Sequence, residues 1–265
     1  MKCHLLGTGG SVNSLHRHNT SLCLEKGPDS ASQTLLIDCN GTCVQRLTEA
    51  GIVFEDLAHI FLTHEHIDHI SALVSLMHQI WVKGCLYRPA EKRRTHMLHF
   101  YGNAPTLKAV RALFDAVNLP RHPHMFPMEF HALDADGGTL EAGEFSLTYF
   151  PVNHGPTPCF GLTTAGDKSR LVYSADTEPV PAIYAHLKDG DVLVHDCNKI
   201  DVPVNPEHTT WAQIEELLPG LPAVTTYLVH LPLLDRAADT EFQKTLKDKF
   251  GNTVILGQDG MVLDF

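Results

Sequence analysis

Between positions 64 and 69 the chain reads His64-Glu65-His66-Ile67-Asp68-His69. Positions 64, 66, 68 and 69 all carry side chains that can ligate a metal. A regular strand or helix cannot turn four such closely spaced groups the same way. An irregular turn can distribute them over two adjacent centres, and borderline Lewis acids such as zinc accept imidazole and carboxylate together. The spacing differs from the His-Glu-x-x-His helix of zinc peptidases, because position 68 is Asp.

Two centres need more donors, and three further candidates each follow an apolar strand. His154 comes after Phe145–Val152 and before Gly155-Pro156. Asp176 follows Leu171-Val172-Tyr173-Ser174-Ala175, and His230 follows Tyr227-Leu228-Val229. Open α/β sheets place their sites at the carboxyl ends of strands. His208 stands in Pro206-Glu207-His208-Thr209-Thr210, just ahead of a helical pattern. An imidazole there is a reasonable proton donor near neutral pH. His16, His18, His96, His99, His122, His124, His131, His186 and His195 have no comparable pattern around them. His195-Asp196 follows an apolar strand and reads as a support for a ligand, since ligating imidazoles usually donate their other N–H to a carboxylate or carbonyl.

The elements that must position these groups show in the hydrophobic pattern. Strands are expected at Met1–Leu6, Thr20–Lys26, Gln33–Asp38, His59–Thr63, Phe145–Val152, Phe160–Ala165, Ser169–Ser174, Asp191–His195, Thr225–His230, Thr253–Leu256 and Met261–Phe265. Helices are expected at Thr42–Ala50, Ile70–Val82, Ala104–Val117, Thr209–Leu218 and Asp235–Phe250. The charged run 64–69 then lies on the turn between a strand and a helix. Lys83–Thr95 and Leu119–Pro127 read as loops. Interleaved strands and helices favour a layered α/β domain.

Bulk composition narrows the class. The 265 residues are 43% hydrophobic and 19% charged, which is ordinary for a globular protein. The net charge of -11 gives no general attraction for phosphate backbones. The 7 cysteines are irregularly spaced and point to a reducing compartment rather than a disulfide framework. Met1–Gly10 lacks the features of a signal peptide, and no apolar run is long enough to span a bilayer. A cytoplasmic protein is expected. Gly7-Thr8-Gly9-Gly10 lacks the Lys-Ser/Thr ending of a phosphate loop and reads as a close backbone turn.

With these residues in view, the chain resembles the metallo-β-lactamase superfamily over nearly its whole length. Its His-x-His-x-Asp-His signature stands at 64–69, and Gln258-Asp259-Gly260-Met261 resembles the family's closing strands. Gly7–Ser14, with Arg17, Asn19, Thr20 and Ser21, and Tyr173-Ser174-Ala175-Asp176-Thr177 resemble the ribonuclease Z and phosphodiesterase branch. The resemblance implies a four-layer αββα sandwich over a single domain, 1–265, with the metal site at the sheet edge. It implies that His64, His66 and His154 hold one divalent ion and that Asp68, His69 and His230 hold a second, with Asp176 bridging. Zinc is the first expectation, with manganese and iron as alternatives. A water shared by two such ions is lowered in pKa and becomes a bridging hydroxide nucleophile. Asp68 and His208 are the implied catalytic groups, orienting the water and protonating the leaving oxygen.

The bridging Asp176 argues against a true β-lactamase, and His66 against the diiron oxygen-reducing relatives. His154 and Asp176 stand 22 positions apart, which leaves no room for the tRNA-binding arm of longer ribonuclease Z proteins. A small or cyclic phosphodiester is therefore the expected substrate. A thioester, ester or lactone is the alternative; tRNA 3′ processing and non-catalytic metal binding rank lower. Expected partners are that small molecule and at most a second copy of the chain, with no membrane and no large nucleic acid. The basic loop Lys83, Arg88, Lys92, Arg93, Arg94 is a candidate for meeting a phosphate.

Overall fold

Apolar residues alternate with backbone-paired neighbours along two separate sets of strands, and each set forms one sheet. The computed structural model describes residues 1–27, 33–198, 200 and 207–265. In chain order the strands are β1 (Lys2–Gly7), β2 (Ser21–Glu25), β3 (Thr34–Ile37), β4 (His59–Phe61), β5 (Leu98–Gly102), β6 (Met128–Ala132) and β7 (Gly138–Ala142). They continue with β8 (Phe145–Val152), β9 (Cys159–Ala165), β10 (Arg170–Tyr173), β11 (Val192–Asp196), β12 (Thr225–Val229), β13 (Val254–Leu256) and β14 (Val262–Asp264). One sheet has the order β14-β1-β2-β3-β4-β5-β6 and the other β13-β12-β11-β10-β9-β8-β7.

The two sheets face each other across an apolar core. In β3, Leu35 and Ile37 point into it, where they meet Phe145, Leu147, Phe160, Leu162 and Tyr173 of the second sheet. Leu36, between them, points the other way, into the layer under the helices. That period-2 split of one short strand between two cores marks a sheet buried on both faces.

Helices α1 (Cys43–Glu49), α2 (Ile67–Ile70), α3 (Leu73–Trp81) and α4 (Ala104–Ala116) follow strands of the first sheet. Leu73, Leu76, Met77 and Ile80 of α3 and Leu107, Val110 and Phe114 of α4 pack against it. Helices α5 (Pro181–Ala185), α6 (Trp211–Leu217) and α7 (Arg236–Phe250) belong to the second half. Trp211, Ile214, Phe242 and Leu246 pack on Leu228, Val254 and Leu256. Caps fix the helix starts. The Asn103 side chain accepts from Thr106 N, and Thr210 and Gln213 form a reciprocal capping box. The result is the αββα sandwich expected from the sequence.

Three strands and one helix were not anticipated. β5, β6, β7 and α5 are short, and their segments carry His, Glu, Gly or Pro where a strand or helix signal would need apolar repetition. The charged run is also not wholly a turn, because Asp68 and His69 lie on the one-turn helix α2.

The basic loop sits at the wrong end of the sheet to serve the strand-end residues. The buried Arg94 donates to the carbonyls of Glu55 and Leu57, just before β4, and Lys83 pairs with Glu55. These charges close the amino end of β4, whereas His64 follows its carboxyl end. Lys83 and Arg94, two of the five charges in that loop, are thus engaged away from His64.

All seven cysteines are buried and free. No helix among the described residues is long and apolar enough to cross a membrane.

Gly7 closes β1 where a Cβ would fall 2.0 Å from the Asn19 carbonyl oxygen and 2.3 Å from Asn40 Nδ2. Neither atom is free to retreat, since Asn40 Nδ2 itself donates to Asn19 O. Gly7→Ala is expected to cost about 3 kcal/mol, the upper end for overpacking a tight site. Thermal unfolding should show a midpoint lowered by roughly 6–12 °C.

Candidate metal centre

Strand direction gathers the polar residues. β3 and β4 are parallel, as are β10, β11 and β12. β8 is two antiparallel steps from β10 and so shares its direction. The carboxyl ends of all six strands therefore meet along one edge of the sandwich. Asp38 follows β3, His64 and His66 follow β4, His154 follows β8, Asp176 follows β10, Asp196 ends β11 and His230 follows β12. Asp68 and His69 enter from α2, and His208 from the segment before α6.

The chain turns sharply to make these ends. Asp38, Ala175 and His230 have positive φ values of 56°, 53° and 54°. Non-glycine residues avoid this region, and such strain is held where surrounding structure over-determines it. The glycine turn gives room: a Cβ on Gly10 would lie 2.9 Å from Asn198 Nδ2 and 3.4 Å from His230 Cε1. Thr20 Oγ1 accepts from His230 N and donates to Gly9 O, tying that turn to the His230 strand end. Arg17 is buried and donates to Thr8 Oγ1 and Asp239, so it lashes the same loop to α7. His16 and His18 serve this lashing too, facing Asp239 and Asp259.

Two groups of donors result. His66 Nδ1 lies 3.0 Å from His154 Nε2, and the His64 ring stands edge-on to both rings. Next to them, Asp176 Oδ2 is 3.8 Å from His64 Nε2, 3.3 Å from His69 Nε2 and 3.0 Å from His230 Nε2. Asp68 Oδ2 is 3.6 Å from both His69 Nε2 and His230 Nε2. The ligand atoms of His64, His66 and His154 converge within 4.8 Å of one another, as do those of Asp68, His69 and His230, and those of His64, His69 and Asp176.

Several inward atoms of the cluster have no protein partner. His64 Nε2, His69 Nε2, His230 Nε2 and Asp176 Oδ1 are buried without a hydrogen-bond partner. Each such orphan costs about 1–3 kcal/mol. Four orphans aimed into one space fit a site built for cations, and the imidazole and carboxylate donors suit borderline divalent ions.

The far sides of the rings are held. His69 Nδ1 donates to Asp38 Oδ2 at 2.8 Å, and His154 Nδ1 donates to the Glu207 carbonyl at 2.8 Å. His64 Nδ1 lies 2.9 Å from Thr63 Oγ1, which itself donates to Asp38 Oδ2. His66 Nε2 meets Thr157 Oγ1 at 3.2 Å. These contacts direct the opposite nitrogen lone pairs inward.

Charge state follows burial and neighbours. Burial pushes His64 well below the usual histidine range, with nearby His69 adding to it. Burial acts against ionisation of Asp176 as well, yet His230 and His69 overcome it and hold the carboxyl well below its ordinary value. His69 is likewise penalised by burial but is raised by Asp176 and Asp38.

His208 joins this edge. Its ring stacks on His230 at 4.8 Å and lies 4.9 Å from His154. Its Nδ1 donates to Asp196 Oδ2 at 2.8 Å, and Thr177 N donates to the same oxygen. Burial pulls its pKa down, but Asp196 outweighs that and pushes it up to about 9. Pro206, beside it in sequence, lies outside the described residues.

Asp38, Thr63, Thr157 and Asn198 escaped the sequence reading. Asp38 had a readable signal, a carboxylate directly after the apolar strand Thr34–Ile37. Asn198, 2.9 Å from His230 Nδ1, had none. Of the pair His195-Asp196, only Asp196 reaches the site. His195 turns to Tyr184 and to its neighbour's carbonyl, because successive strand residues face opposite ways.

Comparison with known proteins agrees with this frame. The chain is 32% identical over 158 residues to ribonuclease Z of Bradyrhizobium diazoefficiens, a match covering 59% of this chain and 47% of that protein. The chain thus spans about half the length of that relative. It is 24% identical to ribonuclease Z of Mycobacterium marinum over 96% of this chain and 95% of the relative. The solved metallo-β-lactamase-fold protein YhfI of Bacillus subtilis superposes with a TM-score of 0.75 at 21% identity, covering 99% of this chain and 98% of that one. Residues 33–231 match the family model described as the beta-lactamase superfamily domain. That stretch contains β3 through β12 and every residue gathered at the strand ends, so the chain belongs to the beta-lactamase superfamily.

Proposed function

We propose that this hydrolase of the metallo-β-lactamase fold is a dinuclear phosphodiesterase acting on a small or cyclic phosphodiester, with residues 1–265 working as a single domain. The observation that carries the proposal is the convergence of four orphaned buried atoms beside His208. His64, His66 and His154 would hold one ion, Asp68, His69 and His230 the other, and Asp176 both. Zinc is the ion chosen for the test, because it takes this mixed nitrogen and oxygen set readily. When bound, such a pair supplies Lewis acidity and lowers the pKa of water held between its members.

The chain's own groups then have defined tasks. Asp68 Oδ2 faces the same space as the inward nitrogens of His69 and His230, where it can accept a proton from an attacking water. His208 holds its Nδ1 proton on Asp196. Its other nitrogen is left to donate to a departing oxygen. A departing alkoxide needs that proton far more than a departing thiolate does, which favours phosphodiesters over thioesters.

The relatives named ribonuclease Z favour a second reading, cleavage of RNA, and they weigh against excluding nucleic acid as a substrate. Between His154 and Asp176 the chain makes only the β9–β10 hairpin. The net charge of -11 adds no general attraction for an RNA backbone.

The test is a panel on zinc-loaded protein: bis-p-nitrophenyl phosphate, a cyclic phosphodiester, a thioester, a lactone and a tRNA precursor. Cleavage of the small phosphodiesters with the highest kcat/KM is expected. A thioester or lactone turned over faster would overturn the proposal, and a preference for the tRNA precursor would move it to the second reading.

Asp38 gives an independent check. It is fully buried and accepts from Thr63 N, Thr63 Oγ1 and His69 Nδ1. Asp38→Asn should weaken zinc binding by about 10–100-fold, as loss of a ligand's carboxylate support does elsewhere. Competition with a chromophoric chelator measures this directly, and unchanged affinity would remove Asp38 from the centre.

A further inference from the structure

At the β6 edge of the first sheet, parallel pairing brings together polar residues that are far apart in sequence. β4, β5 and β6 align His59 with His99 and Glu129, and Phe61 with Tyr101 and His131. These residues share the face turned toward the second sheet, while Phe100 and Phe130 face the helices. Near the sheet edge that gap is open. His99 and His131 keep 26% and 35% of their side-chain surface, and Glu129 is more exposed still.

The donor atoms are close. His99 Nδ1 lies 2.9 Å from His131 Nε2, 3.4 Å separates His99 Nδ1 from Glu129 Oε2, and 3.6 Å separates His131 Nε2 from Glu129 Oε2. A tetrahedral ion with bonds of about 2.0–2.1 Å spaces its ligand atoms roughly 3.3–3.4 Å apart. The observed triangle brackets that value. Without a cation, one ring must give its N–H to the other. With one, both lone pairs and the carboxylate have a common target.

The rings beside and beneath the triangle pack closely, with His99 and His131 centroids 5.2 Å apart. Burial, followed by the charges of His99 and His131, holds neighbouring His59 down to about 4. His99 is lowered by burial and by His131. His59 supports the triangle from beneath, stacked on His99 at 5.3 Å and hydrogen-bonded through Nδ1 to the Tyr101 hydroxyl at 3.1 Å.

We propose that His99, Glu129 and His131 form a separate site for one divalent borderline cation such as zinc, with its remaining position open to water. The site bridges β5 and the edge strand β6. An edge strand is held from one side only, so a metal across this pair acts as a clasp. It shares no residue with the strand-end centre. His131 lies level with Phe61 but two strands aside from it, roughly 9–10 Å across the sheet.

The experiment measures zinc content and thermal stability of the full chain after chelator stripping, dialysis against micromolar free zinc and desalting. Four proteins are compared: wild type, His99→Ala/His131→Ala, His131→Gln, and His66→Ala/Asp176→Ala. The first double variant and His131→Gln should each carry one zinc per chain fewer than wild type and keep wild-type phosphodiesterase activity. His66→Ala/Asp176→Ala should lose activity yet still bind the clasp ion. At free zinc about a hundredfold above Kd, its melting midpoint should rise by roughly 5–10 °C. Equal zinc content in wild type and both clasp variants would overturn the proposal, as would retention so weak that desalting removes the ion from His66→Ala/Asp176→Ala. His131→Gln keeps a polar side chain on β6, so a folding failure of the double variant leaves the question open to measurement.

Discussion

Asp176→Ala is expected to reduce kcat/KM for bis-p-nitrophenyl phosphate at least a thousandfold while leaving the fold intact. Asp176 stands at the centre of the cluster, within 3.8 Å of the inward nitrogens of His64, His69 and His230. It is the carboxylate that both donor groups share, and its Oδ1 has no other partner. Without it, three buried imidazoles face one another with no anion between them. Two cations placed there would repel without a ligand to screen them. A thousandfold loss corresponds to about 4 kcal/mol of transition-state stabilisation. Circular dichroism should change little, while the unfolding midpoint of the zinc-loaded protein should fall with the lost ion. Zinc content should fall together with activity. A variant within tenfold of wild type would show that the chemistry happens elsewhere. Asp134→Ala, on the loop between β6 and β7, is the matched control.

His208→Ala has the second largest expected effect, and its size should depend on the leaving group. General acid catalysis typically contributes about 10²–10⁴-fold. A p-nitrophenolate departs readily without a proton, so the loss there should lie at or below the lower end. An alkoxide departs poorly, and the loss should approach the upper end. Asp196→Asn should reproduce the pattern in weaker form, since Asp196 Oδ2 accepts the Nδ1 proton of His208.

The pH profile gives a separate signature. Although burial opposes it, Asp196 pushes His208 up to about 9. A proton donor works in its protonated form, which predominates below the pKa and is lost as pH rises through it. The alkaline limb of kcat/KM should therefore lie at or below about pH 9, because cations bound nearby favour the neutral ring. In His208→Ala this limb should vanish. A limb that persists unchanged would assign it to another group.

The strand-end residues were legible in sequence because the signal is local. Apolar strands announce themselves by period and β-branched content, and a polar residue directly after one is conspicuous. His154, Asp176 and His230 all stand out this way. The 64–69 run stands out by density alone. Family resemblance then grouped them, and the fold it implied agrees with the two-sheet sandwich.

What tertiary structure decided was which polar groups share a space. Nothing near Asp196 in sequence says that its carboxylate, rather than the His195 ring, turns to the site; the strand's phase in the sheet settles it. β5 and β6 were missed because their pattern is weak. Their identity comes from pairing with β4, a contact made across long stretches of chain. His99 and His131 looked unremarkable for the same reason, since their 2.9 Å approach exists only in the register of that pairing. The basic loop shows the same limit: it precedes β5 in sequence, yet Arg94 and Lys83 reach back to Glu55 and Leu57 ahead of β4. Hydrophobic periodicity records which face of an element is buried. Register and sheet packing, which join residues distant along the chain, determine what meets there.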